Sequence, residues 1–187
     1  MQISIKTNFP AVDRRLGQLR EDVALKAGVR AVNGTLAQAQ TRMSRAIRSE
    51  FNIKADKVKA ALRIERATYR GGVYRIEGKL ESPTKRGRSI NVINFEARKT
   101  AQGVSVKILR NGGRKVIKGA FIGNSGRTVF KRVDKARLPI VAVQTIDVQQ
   151  MFNTKRIKEL VLRMINEKFP EIFEREARFY TQKFNRS

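Results

Sequence analysis

Four short apolar runs between residues 110 and 140 constrain this chain more than any other feature. Val116-Ile117, Ala120-Phe121-Ile122, Val129-Phe130 and Leu138-Pro139-Ile140 alternate with basic turns rich in Gly and Asn. Runs this short, bounded by such residues, are strands. The backbone therefore comes out to a basic loop and returns several times, with strands expected around 115–122, 128–133 and 138–146. Phe121, Ile122, Phe130, Leu138 and Ile140 are expected to form sheet core. Arg110, Arg114, Lys115 and Lys118 then stand where a partner can reach them.

The flanks have a different period. Residues 2–9 alternate Ile3 and Ile5 with polar neighbours, which suits a short first strand. From Val12 the apolar positions run Leu16, Leu19, Val23, Ala27, then Val29, Val32, Leu36, Ala39, Met43 and Ile47, mostly in steps of three and four. That spacing predicts a helix to about Glu50, started near Pro10 and Asp13, slipping near Gly28 and open to a break at Asn33-Gly34. Its other face carries Arg14, Arg15, Arg20, Lys26, Arg30, Arg42, Arg45 and Arg48, either solvated or turned to a polyanion. Residues 54–62 form a short second helix. Strands follow over Arg63–Tyr69 and Val73–Glu81 around a Gly71-Gly72 turn, then over Ile90–Lys99 and Val104–Leu109, closed by 100–103. A last helix begins near Asn153 or Thr154, and Pro170 predicts a kink or a break in it.

The fold class read from this order is α+β. An antiparallel sheet of about five or six strands packs against a long N-terminal helix and a long, Pro-kinked C-terminal helix. The chain reads as a single domain over 1–187. It comprises a strand or arm (1–9), helices (10–62), the sheet with its basic hairpin loops (63–146) and a helical segment (147–187).

Charge narrows the partners. The chain of 187 residues holds 41 Lys and Arg against 16 Asp and Glu, a formal net charge of +25. Such a chain repels itself and attracts polyanions. Between residues 83 and 118 there are ten Lys and Arg and one acid, Glu96. These include the TKRGRS loop cations Lys85, Arg86 and Arg88. Loops of Gly, Lys and Arg can approach phosphates without reading bases. Two readings of them stay open: non-specific duplex contact, or docking on an acidic protein neighbour. A free basic nucleic-acid-binding protein is the alternative from another class.

The chain has no Cys and no His. That excludes disulfides, thiolate- or His-ligated metals, Cys nucleophiles and His bases. The carboxylates are scattered, and Glu77 and Glu96 are expected to pair with Arg neighbours rather than with each other. NGG (111–113) and GNSG (123–126) lack the following helix and Lys-Ser/Thr of a phosphate-binding loop. The chain is therefore read as a non-enzyme without cofactor or small-molecule substrate. The first ten residues have no apolar core and are not expected to be a signal peptide, and no apolar run is long enough to span a bilayer.

Residues from about 90 to 123, INVINFEARKTAQGVSVKILRNGGRKVIKGAFIG, with RTVFKR (127–132) and RLPI (137–140), resemble the minor tail protein Z family of tailed bacteriophages and prophages. Upstream, TRMSRAIRSEFNIKADKVKAALRI (41–64) matches the family's basic helix, Asn-Ile-Lys turn and short helix. After GAFI, where family members often carry a second Gly-rich or Pro-bearing turn, this chain has the short GNSGR. The resemblance implies a structural virion protein: a tail-completion or neck subunit at the head-proximal end of the tail, assembled in host cytoplasm. It also implies a ring, commonly six-fold, around the DNA channel, meeting tail-tube, tail-terminator and head-neck connector proteins. A ring needs a heterologous interface. Candidates are Phe121, Ile122, Leu138 and Pro139, which could equally be core, and the strand of Ile3 and Ile5, which could add to a neighbour's sheet.

Overall fold

The computed structural model describes residues 2–5, 12, 14–15, 17, 19–70, 73–83 and 89–185. In chain order its elements begin with β1 (Gln2–Ile5), α1 (Glu21–Glu50), α2 (Ala55–Ala61), β2 (Arg63–Glu65), β3 (Thr68–Arg70), β4 (Val73–Arg75) and β5 (Gly78–Glu81). There follow β6 (Ile90–Asn91), a 3-10 turn (Val92–Asn94), β7 (Arg98–Thr100), β8 (Gly103–Val106), β9 (Lys115–Lys118) and β10 (Ala120–Gly123). The last are β11 (Thr128–Arg132), β12 (Ile140–Ala142), β13 (Gln144–Thr145), α3 (Val148–Phe152) and α4 (Lys155–Asn185). The chain divides into two compact units, one of residues 1–43, 62–83 and 155–187 and the other of 44–61 and 84–154.

In the first unit the apolar stripe of α1 (Val23, Ala27, Val32, Leu36, Ala39, Met43) is buried, as is that of α4 (Ile157, Val161, Ile165, Phe169, Phe173). Each such Leu or Phe withdrawn from water contributes roughly 1.5–3 kcal/mol. β5 lies hard on α1: a Cβ added to Gly78 would stand 2.4 Å from Leu36 Cδ1 and 2.7 Å from Val32 Cγ1. The expected break at Asn33-Gly34 does not occur. Gly34 faces Ile172 Cγ2 at 3.5 Å from where its Cβ would be. The Asn33 side chain donates to Ala67 O and accepts from Ala67 N, both at 2.9 Å. Tertiary contacts thus hold residues whose local preference is to end a helix. α4 likewise runs through Pro170 as one element. The helix start near Pro10 and Asp13 lies outside the described residues.

In the second unit, Val92, Val104, Val106, Ala120 and Val129 form the core, with Ile93, Ala97, Ile108, Ile117, Ile122 and Val143 packed against it. Phe51 bridges Leu109, Asn52 N donates to Ile108 O and Arg110 N donates to Glu50 O, each donation at 2.8 Å. The end of α1 is thereby knitted to the strand leaving β8. α3 starts with a capping box: Asp147 Oδ1 accepts from Gln150 N at 2.7 Å, and Gln150 Oε1 accepts from Asp147 N at 3.0 Å.

The expectation of one sheet of five or six strands is corrected. The strands form several small antiparallel sheets, ordered β1-β5-β2, β3-β4, β13-β6, β7-β8-β9 and β10-β11-β12. The ladders are cut where other groups take the backbone. Asn33 occupies Ala67 between β2 and β3, and Asn91 occupies Val129 at 2.9 Å to its N and 3.0 Å to its O. Gly119, in the left-handed region at φ +70°, turns the chain between β9 and β10. The expected core is corrected too. Phe121 pairs with Phe130, and Ile122 with Val129. Successive residues face opposite sides, so Ile122 and Val129 turn to the core, while the two Phe rings meet at 6.0 Å beneath Arg132. Leu138 and Ile140 are not core but exposed.

Candidate nucleic-acid and partner interface

The expected contact cations separate into distinct groups. Lys85, Arg86 and Arg88 lie outside the described residues. Arg110 is exposed, and its backbone N–H is held by Glu50 O. Lys115 pairs with Val106 and Lys118 with Gly103. An odd number of residues apart, they sit on opposite faces of β9, both exposed. Among the described residues none of Arg110, Lys115 and Lys118 enters an ion pair.

Arg114 does something else. Its Nε donates to Ser105 Oγ at 2.8 Å, Nη1 to Glu96 Oε2 at 3.3 Å, and Nη2 to the carbonyls of Glu96 and Ser105. The guanidinium lies over β8 and explains how a polar Ser105 stays buried. Arg114 is a fastener of its own unit, with its donors directed inward. The Asn52 side chain, and after it the charges of Arg114 and Arg98, hold the Glu96 carboxyl below its ordinary value. A lowered carboxylate stabilises the fold at pH above the unfolded value, about 4.3. That contribution is lost as pH falls through the lowered folded value. Glu96→Gln is therefore expected to be less stable than wild type at neutral pH, with the gap closing as the solution is acidified. Urea midpoints across that range check this, and a gap that is constant with pH would refute it.

Much of the basic face of α1 is also engaged within its unit. Arg30 pairs with Glu176 at 3.2 Å, and Arg15, ahead of α1, pairs with Glu174 at 3.5 Å. Lys26 Nζ sits 4.5 Å from the centre of the Phe184 ring, and Arg30 lies over Phe179 and Tyr180. Arg42 and Arg45 remain exposed.

The interface candidates divide as well. Ile3 and Ile5 are buried, and β1, which could add to a neighbour's sheet, pairs with β5 of the same chain at the edge of its sheet. Phe121 and Ile122 are half-buried, whereas Leu138 is 66% exposed and Pro139, joined to it by a cis peptide, is exposed as well. The structure adds residues that sequence reasoning passed over. Every residue from Lys131 to Ala142 is exposed, including Val133 at 55% and Val141 at 49%. The run VDKARLP, polar and charged between two short strands, was the available signal.

Among the described residues no cluster of acids could hold a metal ion, and no helix is long and apolar enough to cross a membrane. The family model described as prophage minor tail protein Z (GPZ) matches residues 9–184 of the chain. The chain belongs to this family. No curated protein and no solved structure matches the chain. A minor tail protein of this family is a structural component of a phage tail, and so of the virion.

Proposed function

We propose that this minor tail protein Z family member is a tail-completion or neck subunit at the head-proximal end of the tail. There it makes the tail competent to join the head. Copies form a ring, six-fold in the simplest case, between tail-tube or tail-terminator proteins and head-neck connectors, with duplex DNA in the lumen. One observation supports the DNA contact: Arg110, Lys115 and Lys118 are exposed and, among the described residues, enter no ion pair, whereas Arg114, from the same run, is consumed internally. Many weak phosphate contacts multiplied around a ring hold a DNA end while letting it slide. The charge of +25 sets subunits against one another, so the ring is expected to form on a tail tube or around DNA rather than free in solution.

Salt dependence tests the contact. Replacing Arg110, Lys115 and Lys118 together by Gln should weaken duplex binding about equally for all sequences. It should also reduce the slope of log affinity against log salt by about 3, near 0.9 per phosphate contact. An unchanged slope would remove these residues from the interface. Size-exclusion chromatography with and without duplex or tail tubes tests the assembly: a discrete ring supports the reading, and monomers coating DNA in proportion to its length support a free nucleic-acid-binding protein instead.

A further inference from the structure

We infer that the free edge of β12 is a docking site for an extended, acidic and apolar segment of another protein, which adds to the sheet as a fourth strand. Val133 N donates to Pro139 O at 3.2 Å and Val143 N to Val129 O at 2.9 Å. Pro139 O and Val143 N are therefore directed toward β11, as are the main-chain groups of Val141 between them, while Val143 O accepts from Val92 N. Ile140 and Ala142, alternating with them, direct theirs away. β12 ends the order β10-β11-β12, and among the described residues no strand pairs with that edge. An exposed strand edge of this kind is a template for pairing unless it is blunted by charge, proline or a bulge. Here the edge residues Ile140, Val141 and Ala142 carry no charge, and the outward N–H groups lie past the proline.

Side chains state what would fit. Register places Lys131 beside Val141 and Arg132 beside Ile140, so each face of the hairpin offers an apolar group at the edge and a cation one strand behind it. The segment 131–142 carries Lys131, Arg132, Lys135 and Arg137 against Asp134 alone. An incoming strand with apolar residues against Val141 and Ile140 and carboxylates reaching the cations satisfies both. A second copy of this chain does not, because 41 basic residues face 16 acidic ones. Duplex DNA would satisfy the cations but leave Val133, Leu138 and Val141 against phosphate or water. The edge would take such a strand whether or not the chain forms a ring.

The test uses the full chain, isotopically labelled, and a blocked alternating Glu-Val peptide of about eight residues, long enough at about 3.4 Å per residue to span the edge. Titration to millimolar concentration should shift the amide resonances of Ile140 and Ala142 and slow their hydrogen exchange. Ala142→Pro removes an outward donor without touching the β11 pairing, a position where edge strands tolerate proline. It should weaken binding about tenfold or more. Val141→Glu, an exposed site that leaves the fold intact, should do the same by repelling the acids. The inference is overturned if those two amides stay unmoved, if a Lys-Val peptide binds as well, or if both variants bind like wild type. A short DNA duplex that shifts the same amides at lower concentration than the peptide would also overturn it, and would assign the hairpin to nucleic acid.

Discussion

Gly103→Ala is expected to destabilise the second unit by about 3 kcal/mol, within the range for a strained backbone forced against a neighbour. Gly103 sits at φ +147°, and an added Cβ would come within 2.2 Å of Ile117 O and 3.1 Å of Gly119 N. Both obstacles are backbone, so no side chain can swing aside. β8 and β9 would have to part at the row where Gly103 faces Lys118. For a chain of this length the loss corresponds to a fall in melting temperature of roughly 6–12 °C, read by circular dichroism because the chain has no Trp. Gly113→Ala is the control, since nothing stands within 4 Å of its added Cβ. A Gly103→Ala protein as stable as that control would mean that the turn at 100–103 is not held in this conformation.

Asn91→Ala is expected to cost about 2 kcal/mol, for a different reason. The Asn91 amide accepts from Val129 N at 2.9 Å and from Ile93 N at 3.0 Å, and donates to Val129 O at 3.0 Å. One side chain thus supplies the acceptor for Val129 N, shares Val129 O with Val143 N, and caps the 3-10 turn. Removing it strands two partly buried backbone N–H groups beside the core, those of Val129 and Ile93, each costing about 1 kcal/mol or more, while Val129 O keeps Val143 N. Asn91→Asp keeps the acceptor and loses the donor, so it should fall between wild type and Asn91→Ala. An Asn91→Asp protein less stable than Asn91→Ala would show that charge at this site, rather than the lost donation, governs the outcome.

These two residues also show where reading from sequence stops. Asn33, Asn52 and Asn91 each look like turn or break signals, and locally they are. In the fold each one binds the backbone of a distant segment: Asn33 at Ala67, Asn52 at Lys107 O, Asn91 at Val129. Such bonds join residues tens of positions apart, and nothing in the spacing around an Asn announces its acceptor. The same gap separates Arg114 from Lys118. Both are cations on a basic hairpin, and only the position of Glu96 and Ser105 distinguishes an internal fastener from an exposed cation.

Periodicity is a local property, and what depends on it could be read directly. The stripes of α1 and α4 place Leu36, Met43, Ile157 and Phe169 inside as their spacing of three and four requires. The hairpin closed at 100–103 and the strands near 115–122 and 128–133 stand where their apolar runs lie. The family, too, was legible in the order of those runs. Which strands pair, and which side of each run turns inward, was decided elsewhere. Small sheets replaced a single one because side-chain amides and glycine turns claimed backbone groups that a longer ladder would have used. Phe121 and Phe130 lie on the face away from the second unit's core because strand neighbours alternate and Ile122 and Val129 take the inner side. The apolar run at 138–140, read as core, became an exposed edge: β12 found a partner in β11 on one side only, and burial needs neighbours on both.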